Sequence, residues 1–227
     1  MKTIVISCFL FLIALISGIC FLLFATTISL MFVILLKVGP TVVMCLWMLY
    51  RKINANNWLI FVGLLLSMTC DIFMALPGNM FLVYGIISNM LALVLYTMYF
   101  YKEEKKINLI RIVPIIIVLG VFYFLLCDYL GNYKLPVLLY CLIYTIFMWR
   151  ASARLADKGI NNYSKYVCFL GCLLLTTSDC LLSFLLFRVI PYQAKYYATV
   201  MILWWAGLFI VMFTATIEHK SIHMQAN

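Results

Sequence analysis

Three ionisable side chains lie within long apolar stretches of this sequence, where a buried charge is costly. Lys37 follows FVILL, Asp71 lies in SMTCDIFMAL, and Asp179 lies in LLLTTSDCLL. One base and two carboxyl groups are the parts of an acid/base site, because a single lysine cannot fully compensate two carboxylates. We therefore expect one aspartate to be ionised beside Lys37 and the other to stay protonated, able to donate a proton.

Two other interpretations of these charges stay open at this point. Lys37 paired with one aspartate is also the pattern of a structural ion pair that fixes helix register. Buried carboxyl groups are equally what the proton relay of a transporter needs. The second acid favours a site over a lone ion pair, and polar neighbours add to the polarity around the aspartates. These neighbours are Ser67, one turn before Asp71, Ser178, which precedes Asp179, and Tyr84, Asn89 and Tyr96 in the apolar stretch that follows Asp71.

The elements that must hold these residues are predicted to be transmembrane helices. The chain has 227 residues, of which 67% are hydrophobic and 10% charged. Its apolar stretches are long enough to cross about 30 Å of hydrocarbon as helices, and they lack the alternation of barrel strands. The sequence therefore predicts an all-α, polytopic transmembrane helical bundle that forms a single integral membrane domain, 1–227. The predicted spans are 4–24, kept as a first span rather than a signal peptide, 28–50, 58–76, 79–101, 108–127, 133–150, 164–187 and 195–216.

The positive charges predict the orientation of these spans. With the N-terminus inside, twelve of the sixteen Lys and Arg fall on the inner side and three fall on the outer side. The remaining one, Lys37, lies within the second span. Both termini are therefore expected to be cytoplasmic. The three buried charges then share one layer, about 8 to 14 Å from the outer face at 1.5 Å per residue. The net charge of +9 is explained by span ends rather than by nucleic acid.

A faint internal repeat relates the two aspartates. GLLLSMTCDIFMAL at 63–76 aligns with GCLLLTTSDCLLSF at 171–184, with Gly, two Leu, Thr and Asp in common. The offset corresponds to four spans, and an even number of spans keeps the two copies in the same orientation. This pattern is consistent with a parallel four-plus-four internal repeat.

The same polar residues resemble the pattern of the lysoplasmalogenase family, also called YhhN-like, whose members are eight-span membrane proteins. That pattern is Lys-x-x-Pro in the second span, Gly-Leu-x-x-Ser-x-x-Gly-Asp in the third and Ser-Asp in the seventh. The matching residues here are Lys37, Pro40, Gly63, Ser67, Asp71, Gly171, Ser178 and Asp179. The sequence departs from the family pattern at four positions. Cys70 replaces a Gly, Leu93 replaces a His, Trp205 replaces a Tyr and Leu208 replaces a Gln.

The resemblance implies hydrolysis of the vinyl-ether bond of lysoplasmalogen, giving a fatty aldehyde and a glycerophospho-headgroup. Asp71 and Asp179 would be the catalytic pair, with one acid protonating the vinyl ether and one carboxylate stabilising the cation or activating water. The residues that would bind or position the substrate are Lys37, Ser67, Ser178, Tyr84, Asn89 and Tyr96. The more apolar flanks of Asp71 favour it as the acid.

This chemistry needs no metal or organic cofactor, and its substrate is an ether lysophospholipid drawn from the membrane lipids. We expect an integral multi-pass protein of the cytoplasmic membrane in a bacterium or of an endomembrane in a eukaryote. Leu93 and Leu208 at polar family positions leave two alternatives open. One is a proton-coupled transporter or lipid-binding membrane protein on the same scaffold, and the other is a catalytically inactive relative.

Overall fold

The computed structural model describes residues 2–53, 57–104, 108–156 and 161–225, and these ranges contain helices and turns but no strand. Three short 3₁₀ turns, Leu109–Arg111, Cys127–Tyr129 and Gly131–Tyr133, lie on either side of the fifth helix. The all-α prediction is confirmed. The eight α-helices of the described ranges are α1 Lys2–Phe24, α2 Leu30–Tyr50, α3 Trp58–Ala75, α4 Asn79–Glu103, α5 Ile112–Leu126, α6 Lys134–Arg154, α7 Asn162–Leu186 and α8 Ala194–Gln225.

Each of these helices carries a stretch long and apolar enough to cross a membrane. The stretches run from Ile6–Phe24 in α1 to Ala194–Thr216 in α8. Many large apolar side chains are exposed along them, including Phe9, Met31 and Phe124, which suits a helix surface that faces lipid rather than water. The described part of the chain therefore has the helices of a multi-pass membrane protein.

The largest difference between a helix end and its predicted span is at α8, which continues to Gln225, nine residues past the predicted end at 216. The helix ends also differ around the longest predicted loop. Helix α6 continues to Arg154, four residues past the predicted end of its span, and α7 begins at Asn162 rather than 164. Both arginines of RASAR are buried. The guanidinium of Arg154 lies over the ring of Phe100, and that of Arg150 lies over the ring of Tyr101. This segment is predicted as a loop from its charges, but packing of its arginines against aromatic rings stabilises it as part of a helix.

The chain divides into two compact units, Met1–Leu95 and Tyr96–Asn227, and the boundary falls within α4. In the first unit α2 packs against both α1 and α3. In the second unit α6 packs against both α5 and α7, while α7 packs extensively against α8. Each unit thus contains one of the two predicted aspartates, Asp71 on α3 and Asp179 on α7.

The crossing of α7 and α8 depends on two glycines. A Cβ atom at Gly207 would lie 2.9 Å from the backbone oxygen of Gly171 and 2.7 Å from Cγ of Leu175. Such contacts are too close for carbon atoms, so only glycine permits this approach of the two helices. The hydroxyl of Ser178 donates a hydrogen bond of 2.9 Å to the Val200 carbonyl farther along the same interface. Together these contacts fix α7, the helix that carries Asp179.

Replacing Gly207 should therefore destabilise the second unit. We expect Gly207→Ala to lower the free energy of unfolding by about 1–3 kcal/mol, because the added methyl group overpacks the crossing. Gly120→Ala is the matched control, since a Cβ atom there would meet nothing within 4 Å. The control should be neutral or stabilising by up to about 1 kcal/mol. Thermal unfolding of both variants in detergent measures the difference, and equal melting temperatures would contradict the role of the crossing.

Candidate functional site

Lys37 and Asp71 form an ion pair within the first unit. The Lys37 ammonium lies 3.4 Å from Oδ1 of Asp71 and donates a hydrogen bond of 3.2 Å to the Asp71 backbone carbonyl. Both side chains are almost fully buried. The adjacent helices α2 and α3 bring the pair together, and two of the three predicted charges are thus direct neighbours.

Helix α2 is locally modified just where it presents Lys37. Pro40 lies inside the helix and has no N–H, so the carbonyl of Leu36 lacks its usual partner four residues on. The hydroxyl of Ser17 on α1 donates to that carbonyl at 2.9 Å. A Cβ atom at Gly39 would collide with the Ser17 side chain. Glycine and proline in VGPT therefore make room for α1 to satisfy the carbonyl beside Lys37.

Hydroxyl groups lie one helical turn from each member of the pair. Ser67 is fully buried one turn before Asp71, and Thr41 is fully buried one turn after Lys37. The Thr41 Oγ1 atom has no hydrogen-bond partner among the described residues. A buried hydroxyl of this kind calls for an explanation, and a polar group of a bound ligand would supply its partner. Thr41 does not stand out in the sequence except by its four-residue spacing from Lys37.

Asp179 has different partners within the second unit. Its Oδ2 atom accepts a hydrogen bond from the hydroxyl of Tyr144 at 2.5 Å and another from the hydroxyl of Tyr140. Both tyrosines lie on α6, one turn apart, with ring centroids 5.1 Å from each other. The carboxyl group is buried, and two phenols fix the position of one of its oxygens.

Neither tyrosine stands out in the sequence, where an aromatic residue in an apolar helix is typical of packing. Two signals point to them in retrospect. Tyr140 and Tyr144 are four residues apart, so their hydroxyls can lie on one face of α6. The offset that aligns Asp71 with Asp179 also aligns Lys37 with Thr145, the neighbour of Tyr144. In each copy of the proposed repeat, the second helix therefore supplies the partner of the aspartate on the third.

The remaining predicted residues are placed less uniformly. Ser178 is fully buried and bonds α8 rather than Asp179. Asn89 is buried in the first unit, and Tyr96 is buried in the second with its ring centroid 6.5 Å from that of Phe147. Tyr84 is 44% exposed, and its ring packs on Phe73 at 5.7 Å. The geometry therefore groups Lys37 with Asp71, leaves Tyr84 toward the surface of its unit, and adds two tyrosines to Asp179.

The positions that depart from the family pattern are apolar and buried. Leu93 and Leu208 are each about 1% exposed, so the polar groups expected there are replaced by hydrocarbon. Cys70, beside Asp71, is also buried. In the part of the chain that the structure describes, no group of three or more His, Cys, Asp or Glu is placed to hold a metal ion.

A known family matches most of the chain. Residues 32–215 match the YhhN family. The matched range covers most of the chain and contains Lys37, Asp71, Asp179 and both tyrosines. The chain therefore belongs to the YhhN family, as the sequence resemblance predicts. No curated protein and no solved structure matches the chain.

The Lys37–Asp71 pair should behave as one unit in stability measurements. Lys37→Met or Asp71→Asn alone leaves its partner buried without its counter-charge, and each should cost about 3–5 kcal/mol. The double variant should cost less than the sum of the singles by about 1–3 kcal/mol, since it leaves neither charge behind. Denaturant titration in mixed micelles measures these unfolding free energies. Lys134→Met, at an exposed lysine, is the control, and strict additivity would contradict direct coupling.

Proposed function

We propose that this protein is a lysoplasmalogenase-like membrane hydrolase that cleaves the vinyl-ether bond of lysoplasmalogen by acid/base catalysis with Asp71 and Asp179. The products are a fatty aldehyde and a glycerophospho-headgroup. Membership of the YhhN family supports the proposal. The observation that carries it is the contrast between two buried carboxyl groups, one beside an ammonium group and one beside two phenols. Two carboxyl groups in different surroundings can take the different roles of acid and base.

The ion pair favours Asp71 as the carboxylate. An ammonium group 3.4 Å from Oδ1 stabilises the charged form in a medium that otherwise penalises it. We therefore assign the acid to Asp179 rather than to Asp71, although the apolar flanks of Asp71 favour the opposite. In this assignment Oδ1 of Asp179 carries the proton, and the two phenols bond Oδ2. They stabilise the carboxylate that forms as the proton leaves, which is stabilisation in the transition state.

The reaction has three balanced steps. The Asp179 proton adds to the β-carbon of the vinyl ether, and the resulting oxocarbenium ion leaves Asp179 as a carboxylate. Water then adds to the carbon next to the ether oxygen, with the Asp71 carboxylate accepting a proton from the water, and a hemiacetal forms. In the collapse of the hemiacetal, protonated Asp71 donates its proton to the departing glycerol oxygen while the Asp179 carboxylate removes the proton of the hemiacetal hydroxyl. The carbon–oxygen bond breaks, aldehyde and the glycerol hydroxyl are released, and both carboxyl groups return to their starting states. The division of labour is that of paired carboxyl groups in glycoside hydrolysis.

The remaining polar groups fit a substrate whose headgroup is polar and whose chain is not. Thr41 offers a buried hydroxyl without a partner among the described residues, one turn from Lys37. We assign it to an oxygen of the glycerol backbone. The alkenyl chain of the substrate itself needs no hydrogen bonds. The substrate class is therefore an ether lysophospholipid with one hydrocarbon chain.

Aldehyde release in heavy water tests the proposal. Purified protein in detergent, given lysoplasmalogen in D₂O, should release an aldehyde with one deuterium on the carbon next to the carbonyl, because the added proton comes from solvent through Asp179. Asp71→Asn and Asp179→Asn should each lower the rate by about 10²–10⁴-fold. Tyr144→Phe should cost roughly 10–100-fold, the value of a hydrogen bond to a charged group. Mass spectrometry of the trapped aldehyde gives both rate and label.

Asp128→Asn is the matched control, since Asp128 is exposed on a 3₁₀ turn, and it should keep the wild-type rate. Authentic aldehyde incubated with the protein in D₂O corrects for exchange after release. No aldehyde from the wild type across a pH series would contradict hydrolysis. Unlabelled aldehyde would contradict protonation of carbon as the first step.

A second candidate is a proton-coupled transporter or lipid-binding protein without hydrolytic activity. The apolar replacements at Leu93 and Leu208 favour it, since polar groups expected in the family pattern are lost there. The same buried acids would then carry protons rather than donate them to carbon. Proton-driven uptake of a lysolipid into liposomes, with no aldehyde formed, would support this candidate. An inactive relative would show neither activity while keeping the Lys37–Asp71 coupling in stability.

A further inference from the structure

An apolar groove opens among α5, α6 and α7 within the second unit. Its volume is about 570 Å³, which is within the usual range of ligand-binding cavities. Its walls include Ile115 and Val118 from α5, Met148 from α6, and Phe169 and Leu173 from α7. Val118 is largely exposed, so the groove is open along the side of the unit rather than enclosed. A hydrocarbon chain is the kind of group that such a groove accepts.

One end of the groove carries a cation that is held in place by backbone. Arg111 lines the groove and is the one charged residue among its described lining residues. Its Nη1 atom donates to the carbonyls of Ser152 at 3.1 Å and Ala153 at 3.3 Å. Among the described residues no carboxylate pairs with Arg111, and its Nε and Nη2 atoms keep their donor capacity. The guanidinium can therefore serve an anionic ligand without losing its anchor.

The groove is long enough to separate its charged end from its apolar end. Arg111 and Leu119 both line it, and eight helical residues between them span about 12 Å. Arg111 lies at the end of its predicted span that the Lys and Arg bias assigns to the cytoplasmic side. A cation at a membrane face and an apolar groove below it match the two parts of a phospholipid in the cytoplasmic leaflet.

We propose that this groove binds an anionic glycerophospholipid, with its phosphate against Arg111 and one acyl chain along α5 and α7. Basic pockets between transmembrane helices bind anionic headgroups in this way. A lipid with net negative charge is preferred over a zwitterionic one, because Arg111 has no carboxylate of its own to neutralise among the described residues. The lipid is a resident ligand that accompanies the bundle.

This ligand is distinct from the proposed substrate. Thr176, one turn before Asp179 on α7, also lines the groove, and the groove extends about 12 Å along α5 from Arg111 to Leu119. The vinyl ether of a lysoplasmalogen is joined to the same glycerol as its phosphate. A lysoplasmalogen with its phosphate on Arg111 would therefore keep its reactive carbons near the charged end of the groove.

Native mass spectrometry of the full chain in detergent tests the proposal, with dioleoylphosphatidylglycerol and dioleoylphosphatidylcholine as probes at equal concentration. Wild type should retain the anionic lipid preferentially. Arg111→Gln should lower that retention about fivefold, the value of one cation at a membrane surface. Arg188→Gln removes an exposed arginine from the opposite end of α7, so it should leave retention unchanged.

Val118→Trp provides a second test that leaves Arg111 in place. The larger side chain fills the groove at an exposed position of α5, so it should lower retention of both lipids by blocking the acyl chain. Sodium phosphate added as a competitor should not displace the lipid, because the chain contributes to binding. Unchanged retention in Val118→Trp, or unchanged preference in Arg111→Gln, would overturn the proposal. Displacement by phosphate alone would show a free-anion site instead.

Discussion

The cost of placing charge within an apolar bundle is the constraint on which the rest of this structure depends. The three ionisable groups that lie deep within the apolar stretches, Lys37, Asp71 and Asp179, each have partners within their own unit. Asp71 lies against the ammonium group of Lys37, and Asp179 lies against the hydroxyls of Tyr140 and Tyr144. Removing Lys37 or Asp71 leaves the other buried without its counter-charge, and removing either phenol takes a hydrogen bond from the buried Asp179 carboxyl group. The packing of α2 on α3 and of α6 on α7 is therefore tied to these contacts, and the helices cannot shift freely without breaking them.

Backbone chemistry supports these contacts where side chains alone would not. Pro40 removes a backbone hydrogen bond from α2, which leaves the Leu36 carbonyl without its usual donor. The Ser17 hydroxyl donates to that carbonyl instead, because Gly39 allows α1 to come close. In the second unit Gly207 has a similar role, because its lack of a side chain allows α8 to pack closely against α7. Small residues at close crossings are the usual means of packing helices in lipid, where hydrophobic burial contributes little. The glycines and the proline of this sequence thus position the helices that carry Lys37 and Asp179.

Much of this arrangement could be predicted from the sequence, and the exceptions have physical reasons. Continuous apolar stretches and charged ends predict all eight described helices, because a membrane allows few alternatives. The rarity of Asp and Lys within those stretches points to Asp71, Asp179 and Lys37. The pairing of Lys37 with Asp71, rather than with Asp179, could not be predicted, because it depends on which helices pack together. Tyr140 and Tyr144 were missed since a phenol hydroxyl is hidden in what looks like aromatic packing. Arg154 was misplaced in a loop because its burial over Phe100 depends on tertiary contact.

The central claim is that the two differently partnered carboxyl groups serve one reaction. Single-turnover aldehyde release by wild type, Asp71→Asn, Asp179→Asn and the double variant tests it most directly. Residues that act in the same catalytic unit show strongly non-additive effects. The account predicts that the double variant is no more than a few-fold slower than the slower single variant. Losses that multiply, or a wild-type rate in either single variant, would contradict it.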